Sequence, residues 1–380
     1  MRPTKLFRDF FESEKSGGLI LVVATILSLT LANSAWSENY IAFWSFAFSG
    51  HTVTEWINDG LMAIFFLLIG LELEREIYKG ELSSRKKAAL PLFGALGGMV
   101  IPAAIFYILN SGTSTQTGVG IPMATDIAFA IGILSLLGNR VPLSLKIFLT
   151  ALAVIDDLGA IMVIAVFYTK HLSFVNLGIS LAIFVVLLIL NRLKVRNLIP
   201  YLLGGIVMWY FMLLSGVHAT ITGVLLPFAI PFGNGGRNST SFILQHCLHK
   251  PVAFFILPIF ALANTGIIIE KDWQSGLMQV GSIGILLGLV IGKPLGIWLF
   301  SFVAVRFGVC KLPPGMRWNT LLGAGILAGI GFTMSVFITL LAFDDPQIIT
   351  SSKIAILLAS TIAAILGFIV LKVTLKKRLH

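Results

Sequence analysis

Apolar runs of about 20 residues recur along this chain between Gly17 and Leu371, with few long polar stretches between them. A helical run of this length rises ~1.5 Å per residue and therefore spans the ~30 Å hydrocarbon core of a bilayer. The composition agrees, because 57% of the residues are hydrophobic, 12% are charged and the mean hydropathy is +0.95. These values exclude a soluble domain with a polar surface. The pattern predicts one all-α integral membrane domain over residues 1–380.

Twelve of these apolar segments are predicted to be transmembrane helices. The first is typical of a secretory signal in its charge and length, but the many spans that follow favour a retained helix. Residues 46–56 alternate loosely around Ser49, Gly50 and His51, so a short extracellular β-hairpin and a plain loop both remain open. The predicted helices are 17–31, 57–79, 88–109, 119–137, 143–167, 174–190, 198–214, 217–230, 252–269, 281–302, 321–343 and 348–371.

The basic residues predict the orientation of the chain in the membrane. A net charge of +10 would suit nucleic acid or acidic partners, but the positive-inside rule accounts for it without them. With twelve spans and a cytoplasmic amino terminus, nearly all Lys and Arg residues fall on cytoplasmic segments or helix ends. Lys170, Lys271 and Lys353 fall on the other side, and Lys293 lies within the membrane. Both termini are therefore expected in the cytoplasm, and nucleic acid is not expected as a partner.

Two adjacent carboxylates, Asp156 and Asp157, stand near the midpoint of the apolar run 143–167. Ionised groups are costly at this depth and normally mark an ion or proton path, a partnered charge or a cavity. The two side chains are ~100° apart around a helix, so both can border one cavity. Carboxylates, water and the hydroxyl of Thr125 are ligands that a hard monovalent cation prefers. Desolvation and mutual repulsion favour the protonated form of at least one carboxylate. We therefore expect protons and cations to compete for this site.

Two apolar segments carry signals for a broken helix. In the first, Pro122 and nearby glycines precede Thr125 and Asp126, and in the second a glycine-rich stretch interrupts residues 329–333. Each segment is the middle helix of a three-helix group, 85–170 and 276–373, and the two groups enter the membrane from opposite faces. This arrangement predicts inverted repeats whose two discontinuous helices cross at mid-membrane. We expect Asp126 to offset paired helix amino termini and Lys293 to offset paired carboxyl termini.

Purely structural roles for these residues stay open. A purely structural salt bridge with Lys293 would explain one of the two neighbouring aspartates, and Asp126 with Lys293 would then serve only to neutralise helix ends. His218 is expected to be a packing residue. His246 and His249 lie one helical turn apart with a cysteine between them, but no further ligand pair points to zinc. The two cysteines are Cys247 and Cys310, for which a cytoplasmic position makes a disulfide improbable.

Six short motifs stand out along the chain. They are WIND (56–59), FFLLIGLE (65–72), ATDIAFA (124–130), IDDLGA (155–160), GKPLG (292–296) and GIGFTMS (329–335). In these motifs the chain resembles sodium/proton antiporters of the NhaA type. The likeness extends over nearly the whole chain, and the motifs together are highly specific.

The resemblance implies electrogenic exchange of cytoplasmic Na⁺ or Li⁺ for external protons, by alternating access in a bacterial inner membrane, for pH and sodium homeostasis. Asp157 would be the central cation ligand. Asp156 would pair with Lys293 when the cation is absent, and Asp126 with Lys293 would neutralise the crossed helix ends. No cofactor is implied beyond the transported ions. Membrane lipid and a second copy of the chain are the implied partners, with the hairpin helping to join a homodimer.

The resemblance also implies a pH-sensing cluster at the cytoplasmic mouth. It would consist of Glu72, Arg75, Glu76, His246 and His249. The chain departs from the family here, because the residue before His246 is a glutamine instead of an acid and the loop 232–242 has no carboxylate. The resemblance therefore predicts no particular alkaline activation.

Carboxylates within a membrane also occur in two other classes of protein, intramembrane aspartyl proteases and cation channels. An intramembrane aspartyl protease uses two aspartates to activate water, but adjacent aspartates on one helix point partly apart and no Gly-x-Gly-Asp motif is present. A cation channel selects ions with charged rings. The broken helices and Lys293 favour alternating access over a continuous pore.

Overall fold

A computed structural model of the protein describes residues 5–48, 50–168, 172–269 and 272–375. Ser49, Lys170 and Lys271 lie outside these described residues. The helices of the first half are α1 Lys5–Ala32, α2 Ser37–Ser45, α3 Val53–Trp56, α4 Met62–Tyr78, α5 Arg85–Asn110, α6 Ile127–Ser135, α7 Leu143–Phe167 and α8 Phe174–Arg192. Those of the second half are α9 Ile199–Leu214, α10 Thr220–Ala229, α11 Thr240–Pro251, α12 Leu257–Asn264, α13 Trp273–Leu277, α14 Val280–Leu287, α15 Lys293–Arg306, α16 Trp318–Ala328, α17 Phe332–Ala342 and α18 Pro346–Thr374.

The predicted helical membrane architecture is confirmed. Among the described residues, eight helices are long and apolar enough to cross a membrane, or up to ten when each of two bent pairs is taken as one span. One pair, α16 with α17, is bent by 46°, and the other bends by 114° after α1. Helices α9 and α10 have only 16 and 10 residues. They are ~24 Å and ~15 Å long, which is less than the hydrocarbon thickness. The count of twelve spans stays a prediction.

The predicted start of the ninth helix at Val252 is wrong. The helix begins twelve residues earlier, at Thr240, where the Ser239 hydroxyl accepts a hydrogen bond from the Phe242 amide. It then continues through Pro251 into a π-helical turn, Val252–Ile256. A proline inside a helix removes one backbone hydrogen bond and crowds the preceding turn, and a wider turn relieves that strain. His246 and His249 therefore lie within a helix.

Residues 46–56, for which a hairpin and a loop were both open, contain a minimal strand pair. Strand β1, Ala47–Phe48, pairs antiparallel with β2, His51–Thr52. The turn between them includes Gly50 at a φ of +87°, a conformation that glycine adopts without steric cost. Thr52 then caps α3 through a reciprocal capping box with Glu55.

Both predicted breaks are present, and they touch each other. A 3₁₀ segment, Gln116–Met123, gives way to extended backbone at 124–126 before α6 begins. The second break separates α16 from α17 at residues 329–331. The amide of Asp126 donates to the carbonyl of Ile330 at 2.7 Å, so the unwound backbone of one break satisfies that of the other.

Close packing of α5 against α15 fixes the position of Lys293. Gly292, the last residue of the π-helical turn before α15, and Gly296 on α15 are four residues apart, the small-residue spacing that lets membrane helices approach closely. A Cβ added at Gly296 would lie 2.0 Å from the carbonyl oxygen of Gly97 on α5. A π-helical turn, Gly288–Gly292, ends immediately before Lys293. The lysine therefore starts α15 in the interior of the protein.

Candidate ion-binding site

The site is centred on an ion pair between α7 and α15. Nζ of Lys293 lies 3.0 Å from Oδ2 of Asp156, and both side chains are 0% exposed. The same ammonium group also donates to the carbonyl oxygen of Met123, at the end of the 3₁₀ segment. A charge so deeply buried is tolerated when it is paired and hydrogen-bonded. The structure thus brings together residues from the two predicted repeat units.

Thr125 connects this ion pair to the second break. Its hydroxyl lies 2.8 Å from Oδ2 of Asp156 and 2.9 Å from the carbonyl oxygen of Ala328, the last residue of α16. Because a hydroxyl carries one hydrogen, it donates fully to one of these acceptors at a time. The other carboxylate oxygen, Oδ1 of Asp156, is buried and has no hydrogen-bond partner among the described residues.

Asp157 has different surroundings from its neighbour. Its side chain is 1% exposed, and its Oδ1 also has no hydrogen-bond partner in the part of the chain that the structure describes. It lines a cavity of about 10 Å³ together with Thr125, Asp126 and Thr333. This is close to the space that one water-sized particle requires. The cavity therefore has room for one water molecule or one small ion, and four of its lining residues carry side-chain oxygen atoms.

The carboxylate of Asp126 joins the amino termini of two helices. Its Oδ1 accepts from the Phe129 amide at 3.0 Å at the start of α6, and its Oδ2 accepts from the Thr333 amide at 3.1 Å at the start of α17. The Thr333 hydroxyl donates to the same Oδ2. Helix amino termini carry partial positive charge, which a carboxylate offsets. One anion therefore faces two helix dipoles.

Four of the five residues assigned to pH sensing lie near one another. Oε1 of Glu72 is 3.9 Å from Nδ1 of His249. Nη1 of Arg75 donates to Oε1 of Gln245 at 3.3 Å, and the guanidinium lies over the ring of Phe242, on which His246 also stacks. The glutamine that departs from the family pattern is thus a direct partner of Arg75. Glu76 lines a separate cavity with Lys79 and Lys87.

Sequence reasoning did not predict the partners of two buried polar residues, Glu74 and Asn264. Oε2 of Glu74, a residue only 3% exposed, accepts from the Ser241 hydroxyl at 3.0 Å. Asn264 on α12 donates to Oδ1 of Asn58 at 2.8 Å. The charge of Glu74 inside an apolar helix was a usable signal, whereas the asparagine pair joins positions 206 residues apart and has no local pattern. In the described ranges, no three His, Cys, Asp or Glu side chains are grouped as metal ligands.

The sequence profile of the family described as Na⁺/H⁺ antiporter 1 matches residues 8–371. The chain belongs to this family. It is 67% identical over 372 residues to the Na(+)/H(+) antiporter NhaA 1 of Flavobacterium johnsoniae, with 98% of each chain covered. It is 66% identical to the Na(+)/H(+) antiporter NhaA of Flavobacterium psychrophilum, with 99% and 98% covered. The identity to the antiporter of Cytophaga hutchinsonii is 62%, with 100% and 98% covered.

Family membership decides between the classes of protein that the sequence left open. The chain is an NhaA-type sodium/proton antiporter, a multi-pass bacterial membrane protein. It is not an enzyme, so the aspartyl protease hypothesis is wrong. Sodium/proton exchange likewise distinguishes the antiporter from a simple cation channel.

Proposed function

We propose that this antiporter exchanges cytoplasmic Na⁺ or Li⁺ for external protons electrogenically, at a single site built on Asp156 and Asp157. The observation that carries the proposal is the buried Oδ1 of Asp157, which has no hydrogen-bond partner among the described residues and belongs to a side chain that lines a cavity with Asp126 and Thr125. A carboxylate oxygen in that position is satisfied either by a proton or by a cation. Both ligands compete for the same lone pairs, and that competition couples their fluxes.

In this proposal Asp157 is the central cation ligand, and Asp156 supplies the second carboxylate. In the cation-free state Asp156 is held by Lys293 and Thr125, an arrangement supported by the 3.0 Å ion pair. When a cation enters, the unpartnered Oδ1 atoms of both aspartates turn toward it as oxygen ligands, and Lys293 loses part of its attraction to Asp156. Electrogenic exchange needs more than one proton per cation. Both aspartates and Lys293 are the groups that can carry them.

The proposed architecture is a single domain over residues 1–380 with twelve spans and inverted repeat units at 85–170 and 276–373. The meeting of the two breaks supports it, because the carboxylate of Asp126 faces two helix amino termini and Lys293 donates to the carboxyl end of the 3₁₀ segment. Asp126 and Lys293 then neutralise the crossed helix ends. Rocking of one helix group against the other would expose the fixed site to each side in turn.

The proposed setting is a bacterial inner membrane, with both termini in the cytoplasm and the strand pair of residues 47–52 on the extracellular side. A homodimer joined partly by that strand pair is part of the proposal, as is a role in pH and sodium homeostasis. The contacts of Glu72 with His249 and of Arg75 with Gln245 support a pH-responsive cluster. Glu76 and His246 complete the proposed set.

A flux assay tests the proposed function. The protein is reconstituted into liposomes with an imposed pH gradient, and the gradient is followed with a pH-sensitive dye. Added Na⁺ or Li⁺ should dissipate the gradient saturably, with a rate that responds to membrane voltage, and Asp157→Asn should abolish the response. Asp272→Asn, in an exposed segment, is the matched control and should behave like the wild type. A Na⁺ conductance that neither saturates nor consumes the pH gradient would overturn the proposal.

A further inference from the structure

A second cavity, of about 230 Å³, lies between the end of α4, the segment that follows it and the first turns of α7. Its lining includes Glu76, Lys79, Ser83, Lys87 and Thr150. The basic residues of this region place it on the cytoplasmic side in the proposed topology. The two lysines are exposed, so water and salt screen their charge, and Glu76 partly offsets it.

Thr150 is the unusual member of this lining. Its hydroxyl oxygen is buried, yet it has no hydrogen-bond partner among the described residues. A buried hydroxyl without a protein partner is unfavourable unless water or an ion satisfies it. A threonine inside a helix can donate back to the carbonyl four residues earlier, as Thr25 does to Leu21. The hydroxyl is shielded from water in this structure, but the residue lines the cavity, so rotation of its side chain presents the hydroxyl to a ligand there.

The position of Thr150 on α7 relates it to the ion-binding site. Thr150 and Asp157 are seven residues apart, which puts them on nearly the same face of the helix, ~10.5 Å apart along its axis. The neighbouring helix α4 also contacts both cavities. Its residue Phe65 lines the cavity at Asp157, and its residue Glu76 lines the cavity at Thr150. Two helices thus independently align the two cavities along one path.

An apolar layer separates the two cavities. Leu73 on α4, Ile131 on α6 and Val154 on α7 belong to one buried cluster and are at most 3% exposed. Ile127 of the same cluster also lines the cavity at Asp157. On α7, Val154 lies one turn from Thr150 and about one turn from Asp157. The layer therefore closes the path in this structure, and a hydrophobic constriction of this kind opens when its helices separate.

We propose that Thr150 is a further cation-contacting residue of the transport path, the last oxygen ligand that Na⁺ or Li⁺ meets before it crosses the apolar layer to Asp157. The inference rests on the proposed function and adds a residue to it. A hard cation that enters a narrowing cavity loses water, and the Thr150 hydroxyl replaces part of that hydration. The hydroxyl affects how readily the cation is captured from the cytoplasm, because binding of the cation and the proton at Asp157 does not depend on it.

Kinetics of three proteins in liposomes test the inference. Thr150→Val removes the hydroxyl at nearly constant shape and should raise the KM for Na⁺ about tenfold, equivalent to about 1.4 kcal/mol, with little change in the maximal rate. Thr150→Ser keeps the hydroxyl and should retain the KM of the wild type. An unchanged KM in Thr150→Val, or an equal defect in both variants, would overturn the inference. A wild type without Na⁺-dependent exchange would instead overturn the proposed function itself.

An accessibility measurement keeps the inference testable if Thr150→Val folds poorly. Thr150→Cys is made in a chain that also carries Cys247→Ser and Cys310→Ser, and a membrane-impermeant maleimide is added from either side. The cysteine should react from the cytoplasmic side only, and Na⁺ should slow the reaction. Failure to react, or a rate that is insensitive to Na⁺, would contradict a cation-contacting role at this position.

Discussion

Asp156 and Asp157 are neighbours in sequence but have different partners. Asp156 accepts from Thr125 and pairs with Lys293, whereas Asp157 faces the small cavity. The ~100° between successive helix positions explains the difference, because it turns one carboxylate toward α15 and the other toward the space beside Asp126. The two carboxylates therefore have different surroundings, and the division of roles that the family resemblance implied stays a prediction.

Lys293→Ala should destabilise the protein by about 3–5 kcal/mol, because it leaves the carboxylate of Asp156 buried with its main partner removed. The expected result is a clearly lower Tm in detergent. Lys372→Ala is the matched control, since Lys372 is an exposed residue that lies over the ring of Phe368 near the end of α18. Equal Tm values for Lys293→Ala and the wild type would show that the ion pair does not stabilise the fold.

Part of the site could be predicted from residue types alone. Asp156, Asp157 and Lys293 are conspicuous because charge is rare in apolar runs, and Asp126 adjoins a Gly- and Pro-rich break. Thr150 gives no such signal, since a single threonine is common in membrane helices. Its significance depends on contacts between helices that are distant in sequence, which local patterns do not encode.

At the scale of elements, glycine and proline determine both where helices break and where they meet. Gly329 and Gly331 lie between α16 and α17, and a Cβ added at Gly329 would lie 2.4 Å from the carbonyl oxygen of Leu289. Glycines on α5 and α15 allow the close contact that carries Lys293 inward. The breaks were predictable because Gly and Pro act locally. The π-helical turns at Ile57–Leu61, Val252–Ile256 and Gly288–Gly292 were not, because no residue pattern in the sequence marks a turn of this width.

Gly296→Ala tests the contact between α5 and α15. The added Cβ would lie 2.0 Å from the carbonyl oxygen of Gly97, so the helices must separate. Overpacking of this kind costs about 1–3 kcal/mol and should lower the Tm and displace Lys293 from Asp156. Gly178→Ala on α8 is the control, since no atom lies within 4 Å of its added Cβ. It should leave the Tm unchanged or raise it, because alanine favours helix by about 1 kcal/mol over glycine. Equal effects of the two substitutions would contradict the close contact.

At the scale of the whole molecule, hydropathy predicted a helical membrane protein, and the distribution of basic residues predicted its orientation. The bounds predicted for α9 and α10, 198–214 and 217–230, agree with the observed Ile199–Leu214 and Thr220–Ala229 to within three residues. The orientation itself makes a prediction about the two thiols, which lie on segments assigned to the cytoplasmic side.

Thiol labelling of intact liposomes or cells tests that orientation. Cys247 is exposed and should react with a membrane-impermeant maleimide from the cytoplasmic side. Cys310 is buried, and burial raises the pKa of its thiol, so less thiolate is present at neutral pH and it should react more slowly. Mass spectrometry of the labelled peptides, with Cys247→Ser and Cys310→Ser as controls, measures both rates. Labelling of Cys247 from the outside would contradict the proposed orientation.

The central claim is that one site at Asp157 holds either a proton or a cation. The most direct measurement is the release of protons when Na⁺ is added to the purified protein in weakly buffered detergent solution. The wild type should release protons saturably with increasing Na⁺, and Asp157→Asn should release none, while the control Asp272→Asn should match the wild type. Proton release from Asp157→Asn equal to that from the wild type would contradict the claim.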